Sequence, residues 1–156
     1  MTSHLHDDIS ALSTGELYRY GSEALDGKRY ADAHRFLQAA VDRDRIPEYL
    51  SQLALAIALH IGNVNHAAAL CQEALRNEPK NPEHYLRLGM VFLLARRRKE
   101  AMRMLQLGLR TGKHPQITRL LNQLGHRKRP VLPFLSRANP LNKYLGKLRS
   151  RISARG

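Results

Sequence analysis

The sequence predicts an all-α chain laid out as an array of helix–turn–helix pairs. Three observations predict it. The first is an internal repeat, because residues 34 apart match in kind over much of the chain. Small residues recur at Ala33, Ala67 and Ala101 and again at Ala40, Ala74 and Gly108, and Leu37, Cys71 and Leu105 share a third position. Gly21 and Gly89 share a fourth, where the middle copy departs with Leu55. The second observation is helical spacing: Tyr85, Leu88, Gly89 and Phe92, then Ala101, Leu105, Gly108 and Leu109, each fall on one helix face. The third is punctuation. Asn81 before Pro82 supplies a capping oxygen and then a residue that needs no N–H, and Gly112 is placed to end the second helix of that pair.

The elements follow in order. Residues 1–13 are expected as a flexible N-terminus, polar and frayed to residue 12, with His4 and His6 incidental to a mobile end rather than metal ligands. Ser13 with Glu16 reads as a capping box opening the first helix, which runs to about Leu25 and is broken by Gly27. Its partner spans about Tyr30 to Arg43. Pro47 opens the next pair, about Glu48 to Ile61 and Val64 to Arg76, with the turn at Gly62 and Asn63. Asn77 to Asn81, with Pro79, turns the chain into the third pair. Pro115 starts a seventh helix carrying Ile117, Leu120, Leu121 and Leu124 on one face, with Gly125 at its end. An array needs a terminal cap over its last apolar face, so this helix closes a domain at residues 14–125.

Residues 126–156 form a basic tail of different character. Pro130 and Pro133 force an extended path, and Asn139 with Pro140 then starts another helix. Leu141, Tyr144, Leu145, Leu148 and Ile152 make one apolar stripe, flanked by Lys143, Lys147, Arg149 and Arg151. Gly146 weakens this helix by about 1 kcal/mol against alanine, so the stripe needs something to pack on.

The 34-residue period with its three small positions resembles the tetratricopeptide repeat, in three copies over residues 14–113. The family's large-then-small signature is kept best in the third copy, by Tyr85, Leu88, Gly89, Phe92, Ala101 and Leu105; the first helix of the second copy is degenerate. The resemblance implies a right-handed superhelix whose concave face, lined by the first helix of each pair, docks a protein segment. Carried across, the family's groove positions are Tyr18, Ser22 and Leu25, then Gln52, Ala56 and Leu59, then Leu86, Met90 and Leu93. Members that hold a peptide's terminal carboxylate bear Lys, Asn and Arg there. This face is mostly apolar and implies an amphipathic helix or an extended apolar segment. Leu25 and Leu59 are expected to pack between repeats, and Leu86 and Met90 to line the groove. Three repeats in this length also resemble, in organisation, the secretion chaperones built from such units, although the basic tail is not expected of them.

Charge is unevenly distributed. The 26 Lys/Arg and 13 Asp/Glu give a net +13, and Glu100 is the last carboxylate, so the whole excess lies in residues 101–156. Such a region favours an acidic partner: an acidic protein surface, a nucleic acid or an anionic membrane. Arg96, Arg97, Arg98 and Lys99, expected in the turn of the third pair, join Arg127, Lys128 and Arg129 as a candidate basic patch for phosphates. Only Phe134 and Tyr144 accompany the basic residues, so base stacking has little to work with.

The chain shows no phosphate-binding glycine loop, no metal-ligand spacing and no glycine-flanked serine. Cys71 occupies a core repeat position, and most of the eight histidines are expected at the surface. The expectation is therefore a non-enzymatic adaptor or scaffold without cofactors, binding a protein segment in its groove. Its tail would add an acidic-partner contact, or dock on the array of the same or a second chain. Two alternatives carry different partners: a nucleic-acid-binding protein using the basic third, and a peripheral membrane protein anchored by the 140–152 helix. No apolar run reaches the ~18 residues of a membrane span, and the N-terminus lacks a signal peptide's basic start and apolar core. With a single cysteine, the expected setting is the cytoplasm.

Overall fold

Each helix of the array begins where its capping chemistry begins. In the computed structural model, which describes residues 9–125, Ser13 accepts from the Glu16 amide while the Glu16 carboxylate accepts from the Ser13 amide at 2.8 Å. That box starts α1 (Thr14–Asp26), which pairs with α2 (Tyr30–Arg43). Pro47 stands in the first turn of α3 (Pro47–His60), and Asn63 caps α4 (Val64–Asn77) by accepting from the His66 amide at 3.2 Å. Asn81 accepts from the Glu83 amide at 3.1 Å and Pro82 follows it, opening α5 (Pro82–Leu94); α6 (Arg98–Thr111) and α7 (Pro115–Gly125) complete the order. There is no strand among the described residues.

Within residues 9–122 the first helices α1, α3 and α5 lie next to one another, and α2 and α4 each pack against the first helix of the following pair. One apolar core runs through all three pairs, with Leu37, Leu50, Leu53, Ile57 and Val91 among its buried residues. The small repeat positions explain the tight seams. A Cβ on Gly21 would lie 2.5 Å from the Leu37 side chain, and one on Gly89 would lie 2.8 Å from that of Leu105. A Cβ on Gly108 would meet Ile117 and Tyr85 at 2.9 Å, so that glycine lets α7 seat the fully buried Ile117 on the last pair.

The turns inside the pairs differ from expectation in one instructive respect. Gly27 ends α1 as expected, but the left-handed residue of the turn is Lys28, at φ 58°, and Arg96 matches it at φ 59° with Gly62 between them at φ 77°. These three residues share one repeat position. The following amide closes the same bond in the outer copies, Arg29 to the Ala24 carbonyl and Arg97 to the Phe92 carbonyl, both at 2.8 Å. Gly112 does stand at the end of α6, but in an extended conformation open to any residue.

The N-terminal expectation also needs correction. Ile9–Ala11 form a 3-10 turn, and the Arg43 guanidinium donates to the carbonyls of Ile9 (2.8 Å), Ser10 (3.2 Å) and Leu12. Ile9 and Leu12 pack on Leu17, Phe36 and Ala40, so this segment covers the first pair rather than fraying. Residues 1–8 and the tail expectations, including its apolar stripe Leu141, Tyr144, Leu145, Leu148 and Ile152, lie outside the described residues.

Candidate docking groove

The face made by the first helices divides into an apolar end and a polar end. At the apolar end, Leu55 and Leu59 sit one turn apart on α3, and Met90, Leu93 and Leu94 occupy one side of α5. Leu120 of α7 closes a pocket of about 270 Å³ lined by these six residues alone. Leu94 is 46% exposed and continuous with the other five, and it is such a contiguous apolar patch, rather than one exposed leucine, that marks a docking surface.

The polar end is occupied by its own hydrogen bonds. Tyr18 donates to the Glu48 carboxylate at 2.7 Å and stacks on Tyr49 with ring centroids 4.6 Å apart. Burial, and then that bond to Glu48, push the Tyr18 phenol up to about 12, so it stays a donor. Ser22 donates to the Tyr18 carbonyl at 2.9 Å, and Gln52 reaches Ser22 Oγ at 3.5 Å.

The groove positions read from sequence therefore separate. Met90 and Leu93 line the pocket together, and Leu59, expected between repeats, lines it too. Leu86 and Ala56 do not reach the surface, at 1% and 0% exposure, and Leu25 is buried in the core. Leu55 and Leu94 were missed. The signal for Leu55 was its departure from the glycine of the other copies, since a bulky residue at a close-approach position must send its side chain elsewhere.

Sequence reasoning also missed a buried polar cluster behind the groove. Ser51 and His84 are fully buried and Arg87 nearly so. Ser51 donates to the Glu48 carbonyl at 3.1 Å; His84 Nδ1 lies 3.0 Å from its Oγ and Arg87 donates to it at 3.1 Å. His84 Nε2 meets the Glu78 carboxylate at 2.8 Å, and among the described histidines it is the buried exception to the expectation that most lie at the surface. Glu83 pairs with Arg87 at 3.1 Å and with His114 at 2.8 Å, tying α5 to the start of α7. A serine, a histidine and a carboxylate in a row have the members of a hydrolytic triad, but Ser51 Oγ is enclosed and shared among three partners. No substrate carbonyl reaches it, and the cluster serves as a clamp between α3 and α5. The readable signal was Ser51 itself, standing where the other copies have Leu17 and Tyr85. A polar residue at a buried position requires partners.

The basic run at the third turn is only partly a turn. Arg96 is its left-handed residue; Arg97 lies over the Phe92 ring at 4.8 Å and bonds Glu100 at 3.0 Å. Arg98 and Lys99 already belong to α6, a correction to their expected place in the turn. Arg127, Lys128 and Arg129, the other half of the expected patch, lie outside the described residues. Cys71 is a free, buried thiol pushed up to about 12 by burial, which suppresses the nucleophilic thiolate. Among the described residues no group of His, Cys, Asp and Glu is arranged to hold a metal ion, and no helix is long and apolar enough to cross a membrane.

Residues 58–124 match the family model described as tetratricopeptide repeat. No curated protein sequence matches the chain. Among solved structures, the chain is similar to the Sgt2 TPR domain from Aspergillus fumigatus, at TM-score 0.62 and 22% identity over 83% of this chain and 93% of that one. The Arabidopsis OM64 TPR domain gives TM-score 0.60 at 22% identity, covering 74% and 96%. The TPR2B domain in the complex of yeast Sti1 with pHsp70 gives TM-score 0.61 at 16% identity, covering 74% and 98%.

Proposed function

Taking as premise that this chain is a tetratricopeptide-repeat protein, we propose that it is a non-enzymatic adaptor that holds an apolar segment of another protein against its first-helix face. The observation that carries this reading is the pocket of Leu55, Leu59, Met90, Leu93, Leu94 and Leu120, open to solvent and without a polar side chain in its lining. The Sti1 domain solved with pHsp70 supports docking of a protein segment on this fold. The chemistry differs from that of a carboxylate clamp, because Met90 and Leu93 offer no charge and the Tyr18, Ser22 and Gln52 side chains already donate to Glu48, the Tyr18 carbonyl and Ser22. A segment with two or three large apolar side chains on one side fits instead: a short amphipathic helix with anchors at i, i+3 and i+4.

The test is selection of a displayed random-peptide library on the full chain, followed by binding of the enriched peptides to variants. Enrichment of apolar anchors at helical spacing, with affinity falling at least tenfold on Met90→Glu or Leu94→Asp, is expected. Peptides that lack such anchors, or that bind both variants unchanged, would overturn the reading.

A further inference from the structure

The opposite side of α5 carries a second groove with different chemistry. At 100° per residue, Leu88 and Phe92 point away from Met90, Leu93 and Leu94. They form the floor of a cleft between α4 and α6, together with Leu75 and Met104, and its volume is about 460 Å³. Its rim is cationic. Arg76 stands on the α4 side and Arg103 on the α6 side. Arg103 belongs to an exposed stripe of α6, Lys99, Arg103, Gln106 and Arg110, spaced i, i+4, i+7 and i+11. The one carboxylate in the lining, Glu100, is engaged by Arg97 at 3.0 Å. No carboxylate among the described residues pairs with Arg103 or Arg110.

We infer that this cleft is a second docking surface, and that its occupant is an acidic peptide segment carrying one large apolar side chain. The floor of Leu75, Leu88, Phe92 and Met104 takes the apolar side chain, and Arg76, Arg103 and Arg110 meet carboxylates on either side of it. Lys99 to Arg110 spans about 16 Å of helix, the reach of about five extended residues. Charge excludes the chain's own tail, since residues 126–156 are rich in Lys and Arg and contain no acid. The apolar floor argues against nucleic acid, whose phosphates would use the rim and leave the floor uncovered. The surface is separate from the proposed first-helix groove, so an adaptor with both could hold two segments at once.

Amide chemical-shift mapping on the full chain tests this with a defined peptide: seven residues with three acids on each side of a central Phe. Saturable shifts at Gln72, Arg76, Arg103 and Met104 are expected, weakened at least tenfold by Arg103→Glu and at least fivefold when Gly replaces the central Phe. Met90→Glu is expected to leave them unchanged, which separates this site from the first-helix groove. The inference is overturned by absent shifts, by shifts confined to residues 126–156, or by equal binding of the glycine peptide. Tighter binding of a single-stranded oligonucleotide at the same amides would overturn it in favour of nucleic acid.

Discussion

Ser51 shows how much one side chain settles in this array. Its hydroxyl is the shared partner of a buried histidine and a nearly buried arginine, so removing it strands both side chains at once. Ser51→Ala is expected to destabilise the protein by about 1–3 kcal/mol, the cost of leaving buried groups without partners, read as a lower denaturant midpoint with unchanged slope. Lys28 and Arg96 act in the other direction. Both hold left-handed backbone conformations that glycine adopts freely, as Gly62 does at the same position of the middle repeat. Arg96→Gly is expected to stabilise by up to about 1 kcal/mol: relief of the 1–2 kcal/mol left-handed penalty, less the added freedom of the unfolded chain. A midpoint that falls instead would show that the Arg96 side chain outweighs its backbone.

Between helices, the controlling quantity is the volume at one crossing. Gly21 faces Leu37 and Gly89 faces Leu105, whereas the middle pair reverses the sizes with Leu55 and Cys71. That reversal bears on the groove, because Leu55 is one of the residues that make its pocket apolar. Gly89→Ala puts a carbon within 3 Å of a fully buried leucine and is expected to cost about 1–3 kcal/mol. Leu105→Ala alone should cost about 2–5 kcal/mol. The double variant should lose clearly less than the sum, because the added methyl fills part of the hole, and a double-mutant cycle measures the difference. Strict additivity would mean that the two side chains do not share the space.

Over the whole molecule, stability depends on pH through groups in separate windows. His34 is half-buried with its ring centroid 5.6 Å from that of His60. Burial first, and then repulsion from His60 and His66, lower its pKa below 6.5. The unfolded chain therefore takes up this proton first, and the stabilisation present above about pH 6.5 is lost as pH falls through the folded value. The carboxylates of Glu73, held low by Arg45, and Glu78, held low by Asn81 and His84, lose theirs only below about 4.5. Thermal midpoints should decline in two stages on acidification, and His34→Gln should flatten the first while leaving the second. An unaltered first stage in that variant would assign it to another group.

The sequence by itself determined the α-helices of the array, most of their ends and their pairing, because caps, prolines, helical spacing and a 34-residue period are local or periodic signals. Serine and asparagine start helices through bonds that reach only two or three residues, and proline through its missing N–H, which is why the starts at Ser13 and at Asn81 with Pro82 could be read directly. Tertiary structure alone decided which side chains reach the surface. Leu86 and Met90 both looked like groove residues, yet neighbouring helices bury the first and leave the second in a pocket with Leu120, thirty residues away. The clamp of Ser51, His84 and Arg87 and the cationic cleft across α4 and α6 have the same origin. Each joins residues from different helices, and the angles at which packed helices meet are not written in the spacing along any one of them.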